Sequence, residues 1–248
     1  MAIRATQYTT AIVLSLGSAL LTLPAIAADE VAQFPTANQG YCRGQGKDGA
    51  VEGRVVCTFP SGNRYEGELR NGRRQGKGIL TYANGTRCEG EFQDDELNGR
   101  GTCIYPSGNR YQGLFQNGRR NGRGIFIYAN GARCDTEFRN DVMEGYGMCQ
   151  FPNGDRYEGG FKANRKEGNG AFIYANGTRC EGEFRNDALN GTGTCRFASG
   201  NTYRGEFRNG RQNGKGTFTF PNGQQVDGLW RDGTYIEPTT SGAKSGNR

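Results

Sequence analysis

The chain has 248 residues, 34% of them apolar, with 42 glycines and a formal net charge of +6. That apolar share is low for a compact single-core domain, yet 11% aromatic residues is more core-building material than a disordered chain carries. Histidine is absent, which removes the commonest general base and metal ligand, and a modest charge excess spread along the chain makes no demand for nucleic acid.

The N-terminus reads as a secretory signal over residues 1–27. Arg4 supplies the positive start, Ala11 to Leu23 an apolar stretch, Pro24 a break, and Ala25-Ile26-Ala27 a small-residue cleavage site. The stretch falls short of the roughly 20 apolar residues of a membrane span, and no other segment is apolar enough to be one. A lead-in over residues 28–41 follows.

From 42 to 236 the chain repeats itself every 23 residues. Tyr65, Cys88, Tyr111, Cys134, Tyr157, Cys180, Tyr203 and Val226 each open a copy, and Cys42 opens a weaker first one. The last copy is cut short after Trp230 and Tyr235, and residues 237–248 form a polar tail expected to be disordered. In the copy Tyr65 to Arg87, Tyr65, Gly67 and Leu69 alternate with Glu66, Glu68 and Arg70, the pattern of a strand. A turn-rich segment, 71–75, precedes a second alternating run, Gly76 to Tyr82, and Asn84-Gly85 marks another turn. Strand, turn, strand, turn predicts one antiparallel hairpin per copy. With repeat position 1 opposite position 16, Gly67 faces Gly78 and leaves room beside the aromatics. The predicted fold is all-β: an elongated single-layer antiparallel sheet of tandem hairpins, about 17 strands and on the order of 80 Å long, stabilised by nearest-neighbour contacts.

The signature Y-x-G-x-F-x-N-G-x-x-x-G-x-G, carried by Tyr203, Gly205, Phe207, Asn209, Gly210, Gly214 and Gly216, resembles that of the MORN (membrane occupation and recognition nexus) repeat family and recurs over most of the chain. The resemblance implies an extended, twisted hairpin sheet serving as a scaffold or accessory segment for proteins or membranes. Two features depart from the family pattern: cysteine replaces tyrosine in alternate copies, and the chain carries an export signal.

The eight cysteines pair by position. Cys42 and Cys57, Cys88 and Cys103, Cys134 and Cys149, and Cys180 and Cys195 each occupy positions 1 and 16 of one copy, whereas the intervening copies carry Tyr with Leu80, Phe126, Phe172 or Phe218. Cross-strand neighbours lie within disulfide reach, so four disulfides are expected, each closing a loop worth roughly 3 kcal/mol. Free thiols in the core and zinc are the competing readings; with neither a C-x-x-C spacing nor histidine, zinc fits poorly.

Position 23 forms a column, Arg64, Arg87, Arg110, Arg133, Arg156 and Arg179, that could grip an anionic polymer or lipid headgroups. Carboxylates at positions 2 and 4 oppose it, with cross-strand pairs such as Glu68–Lys77 expected to neutralise much of the field. The aromatic column reads first as repeat core. No catalytic constellation, cofactor motif or metal set stands out, since catalysis usually breaks a repeat with one special site. The sequence therefore points to a non-enzymatic, exported (periplasmic or extracellular) scaffold for a protein partner. Binding to an anionic membrane or cell-wall polysaccharide is the alternative, and a carboxylate-dependent hydrolase a distant third.

Overall fold

The computed structural model describes residues 32–35, 40–47 and 50–238. The expected signal segment, 1–27, and the tail beyond Pro238 lie outside the described residues. Within them every regular element is a strand, nineteen in all, from β1 (Ala32–Pro35) to β19 (Thr234–Pro238). Each strand pairs antiparallel with the next in sequence, giving one uninterrupted meander. The strands used below are β2 (Tyr41–Lys47), β3 (Ala50–Thr58), β4 (Arg64–Arg70), β5 (Arg73–Thr81), β6 (Arg87–Gln93), β7 (Glu96–Ile104), β8 (Arg110–Gln116), β9 (Arg119–Ile127) and β10 (Arg133–Arg139).

A full copy is a seven-residue strand, a two-residue turn and a nine-residue strand, as in β4 and β5. At the turn Asn71 and Gly72 both have positive φ, 49° and 71°, the geometry of a tight hairpin whose twist matches its strands. The expected turn over 71–75 is therefore too long, because the strand resumes at Arg73. The surplus is absorbed in β5, where pairing shifts between Gly67 and Glu68 and Gly76 takes φ 62°, a glycine-dependent bulge. Tyr65 faces Leu80 and Gly67 faces Gly78 as expected, but beyond the bulge Glu68 faces Gln75, while Lys77 lies opposite Glu91 of the next copy. The anticipated Glu68–Lys77 pairing is thus displaced by the bulge.

The core is made on one face of a single sheet. Tyr65, Tyr111, Tyr157 and Tyr203 are completely buried, because each ring lies over a cross-strand glycine pair. A Cβ at Gly67 or Gly78 would collide with the Tyr65 ring, and one at Gly113 or Gly124 with Tyr111. Each hydroxyl donates to a carbonyl three residues on: Glu68 at 3.0 Å, Leu114 at 2.9 Å, Gly160 at 2.9 Å and Glu206 at 3.2 Å. Burial pushes the Tyr111 and Tyr203 hydroxyls up to about 12 and raises Tyr65 and Tyr157 as well.

In alternate copies a disulfide stands where the tyrosine would be. Cys42–Cys57, Cys88–Cys103, Cys134–Cys149 and Cys180–Cys195 are bonded across their hairpins, with Cα atoms 4.0–4.1 Å apart. The space over the glycine pair is then filled from repeat position 10. Leu97 and Leu189 are buried there, with the Leu97 methyls over Gly90 and Gly101 and a Leu189 methyl over Gly182; in the Cys134 copy Met143 is buried too, but Thr136 replaces one glycine and lies against Gly147. In the tyrosine copies position 10 is Arg74, Arg120, Lys166 or Gln212. Positions 1, 10 and 16 thus change together, so the structural unit is a pair of unlike copies.

Candidate functional site: the aromatic face

Every copy before the last ends in the same turn, opened by an aromatic residue. Phe59, Tyr82, Tyr105, Tyr128, Phe151, Tyr174, Phe197 and Phe220 each donate their N–H to the carbonyl four residues on, as in Tyr105 to Asn109 at 2.9 Å. One such residue per two strands sets a spacing of about 9.6 Å along the sheet. Tyr82, Tyr174 and Phe220 are 40–41% exposed, and the other five are half-buried.

These rings join those at position 16 to form triplets. Phe126 stacks on Tyr105 at 6.2 Å and meets Tyr128 edge-on at 4.7 Å. Phe172 lies likewise between Phe151 (stacked, 6.0 Å) and Tyr174 (tilted, 4.8 Å), and Phe218 between Phe197 (tilted, 6.1 Å) and Phe220 (edge-on, 5.1 Å). The disulfide copies interrupt the sequence of triplets, because no ring occupies position 16 there. Two of these interruptions are open pockets. One, of about 240 Å³, is lined by Leu80, Tyr82, Phe92, Phe115 and the Cys88–Cys103 bridge. The other, of about 360 Å³, is lined by Tyr174, Phe197, Phe207 and the Cys180–Cys195 bridge.

A cation crosses the face in three of the tyrosine copies. The Arg120 guanidinium carbon lies 5.2 Å from the Phe126 ring centre and 5.3 Å from that of Phe138. The Lys166 ammonium is 5.0 Å from Phe172 and 5.5 Å from Tyr157, and Arg74 is 5.7 Å from Phe92. An aspartate from the next copy fixes each one. The backbone N–H groups of Arg74, Arg120 and Lys166 donate to Asp95, Asp141 and Asp187 at 2.9, 3.0 and 2.9 Å, and Arg120 Nε is 3.0 Å from Asp141 Oδ1. Asp95, Asp141 and Asp187 have φ of 74°, 73° and 70°, a conformation their bonds to the preceding copy hold in place. Burial holds Lys166 below its ordinary value, with Asp187 opposing the shift. The sequence reading missed this device, although its signal, basic and aliphatic residues alternating at position 10, was present.

The opposite face carries the arginine column. Arg64 pairs with Glu66 at 3.1 Å, Arg87 with Glu89 at 2.9 Å, Arg156 with Glu158 at 3.9 Å and Arg179 with Glu181 at 3.1 Å. Hydrogen bonds from Arg196 and then Arg179 hold the Glu181 carboxyl below its ordinary value. Arg110 and Arg133 make no ion pair among the described residues: Gln112 stands two residues after Arg110 where both flanking copies carry a carboxylate, Glu89 and Asp135, and Asp135 is taken by Arg123 at 3.0 Å.

A family model described as MORN repeat matches residues 65–87, 88–110, 111–133, 137–156, 157–179, 180–202 and 203–225, more than half of the chain. The chain belongs to the MORN repeat family. The one shortened match falls on the copy in which Thr136, fully buried, replaces the glycine of position 3. The hairpin of β2 and β3 lies outside the matched ranges but pairs Cys42 with Cys57 in the same register. No curated protein matches this MORN chain. Among solved structures, the TCP10 domain of Danio rerio CPAP is similar at 12% identity over 80% of this chain and 88% of its own, with a TM-score of 0.43. The SAS-4 (dCPAP) TCP domain of Drosophila melanogaster, in complex with a proline-rich motif of Ana2, is similar at 15% identity over 83% of this chain and 97% of its own, with a TM-score of 0.36. The four disulfides of the MORN array fit an oxidising, non-cytosolic environment.

Proposed function

We propose that the chain is a non-enzymatic, exported MORN scaffold whose aromatic face takes up an extended segment of a protein partner running along the array, across the strands. The observation that carries this reading is the row of half-exposed aromatics at one per copy. Their spacing of about 9.6 Å is close to the rise of three residues of polyproline II helix, about 9.3 Å. Every third residue of such a segment would meet the next ring in the row. Its side chains would reach the disulfide-floored pockets, and aromatic-lined grooves are how such helices are recognised.

Sugar stacking is less well supported, because the polar groups beside the rings are already engaged. Asn63 Oδ1 accepts from the Ala83 N–H at 2.9 Å, and Asn109 Oδ1 from the Ala129 N–H at 2.8 Å. A pyranose needs such groups for its hydroxyls, whereas a proline-rich segment needs mainly flat apolar faces. An anionic surface gripped by the whole arginine column is also less supported, since Arg64, Arg87, Arg156 and Arg179 already have carboxylate partners. Export rests on the apolar stretch and A-x-A site of residues 1–27 together with the disulfides.

The test is fluorescence anisotropy of labelled proline-rich peptides, of a soluble β-glucan oligomer and of a polyanion against the oxidised array. Peptide binding that Tyr105→Ala with Tyr128→Ala weakens by about tenfold is the expected result. Preference for the glucan or the polyanion would replace the reading.

A further inference from the structure

The charged face is not uniform. From Ile104 of β7 through β8 and β9 it loses its acidic component and gains apolar residues, and carboxylates return in β10 with Asp135 and Glu137. Ile104 and Leu114 are 44% and 39% exposed, and Ile125 and Ile127 are half-buried. In the copy opened by Tyr111, Gln112 and Leu114 stand where the flanking copies have carboxylates. The pairing sets arginine and isoleucine side by side: Ile104 opposite Arg110, Arg110 opposite Ile127, Ile127 opposite Arg133. Arg100, opposite Leu114, makes no ion pair among the described residues, like Arg110 and Arg133. Three guanidiniums with unused donors thus frame four aliphatic side chains, while the rest of the column is internally neutralised.

We infer that this patch is a second docking surface, for an acidic polypeptide segment that carries apolar side chains between its carboxylates. Planar guanidiniums bind carboxylates through paired donors, and the isoleucines between them supply apolar area that a purely ionic ligand would leave wet. The width of the patch decides between a polypeptide and an anionic bilayer. It covers four strands, about 15 Å. On either side the same face bears Glu66, Glu68, Glu89 and Glu91, and Asp135, Glu137, Glu158, Glu181 and Glu183. A flat anionic membrane would press against those carboxylates, whereas a narrow segment passes between them. The patch lies on the opposite face from the aromatic row, so the array would join two partners, one on each face.

The experiment uses the oxidised array and a short fluorescent peptide alternating Glu and Leu, with a Lys-Leu counterpart and phosphatidylserine vesicles as the other probes. Two variants with the same change in net charge are compared, Arg110→Gln with Arg133→Gln, and Arg64→Gln with Arg87→Gln. Saturable binding of the acidic peptide is expected, weakened about tenfold by the first variant and less than about twofold by the second. Tyr105→Ala on the other face should leave it unchanged. The inference is overturned by absence of binding at millimolar peptide, by equal weakening in both variants, or by binding to the vesicles with none to the peptide.

Discussion

Leu97 and Arg74 occupy the same repeat position, yet their replacement by alanine should have very different consequences. Leu97 is 6% exposed, with its methyls over Gly90 and Gly101 in the space that a tyrosine ring fills in the neighbouring copies. Leu97→Ala opens a void beside the Cys88–Cys103 bridge, and a cross-linked hairpin has little freedom to close it, so the cost should be about 2–5 kcal/mol. Arg74 rests on top of its copy rather than inside it. Arg74→Ala removes a partly exposed ion pair worth about 0–1 kcal/mol and a cation–ring contact worth about 0.5–1 kcal/mol. The backbone bond from residue 74 to Asp95 survives the substitution. Because a repeat array responds locally, the informative assay is native-state hydrogen exchange of the β6 and β7 amides, together with urea unfolding. Leu97→Ala should speed that exchange by about thirtyfold or more, and Arg74→Ala by clearly less. A cost for Arg74→Ala equal to or above that of Leu97→Ala would refute the idea that position 10 switches between core and surface with the identity of position 1.

Three further outcomes follow from the packing. Replacing Cys134 and Cys149 by alanine should lower stability by roughly 3 kcal/mol, read from the urea midpoint, and intact mass without reductant should find eight oxidised cysteines in the parent chain. Gly124→Ala places a methyl against the Tyr111 ring and should cost about 1–3 kcal/mol, although glycine to alanine in an open strand is mildly favourable; a neutral result in thermal unfolding would contradict the stacking of ring on glycine. Alkali should destabilise the array between pH 10 and about 12, because unfolded tyrosine ionises near 10 while burial keeps Tyr111 and Tyr203 protonated up to about 12. The unfolded chain then holds fewer protons than the folded one, so stability falls as pH rises through that window and is untouched by these groups below it. Tyr111→Phe with Tyr203→Phe should flatten the decline in a pH series of urea midpoints.

Much of this architecture was legible in the sequence because each strand obeys a local rule. The facing of Gly67 and Gly78, and of Cys88 and Cys103, follows from alternation plus one assumed register. The bulge at Gly76 was not legible, since a positive-φ glycine in a glycine-rich strand has no distinct signature, and that single slip displaced Glu68 from Lys77. Several arginines of the column likewise went to neighbours two residues along the same strand, Arg87 to Glu89 for instance, while other pairs, such as Arg123 to Asp135, do cross between strands. The alternation of Arg74, Leu97, Arg120 and Met143 was visible as letters but acquired meaning only once the void above a disulfide could be seen. The aromatic row read as core because periodicity places a ring on a face without saying how much of that face is covered.

The most direct test of the account is a chemical-shift map of the isotopically labelled, oxidised array titrated with a proline-rich peptide. Shifts at Tyr105, Tyr128, Phe151 and Tyr174 and at the disulfide hairpins between them, in at least three consecutive copies, are the predicted result. Shifts confined to the edge strand β19, as in strand addition, or no shifts at all, would contradict a partner track along the aromatic face.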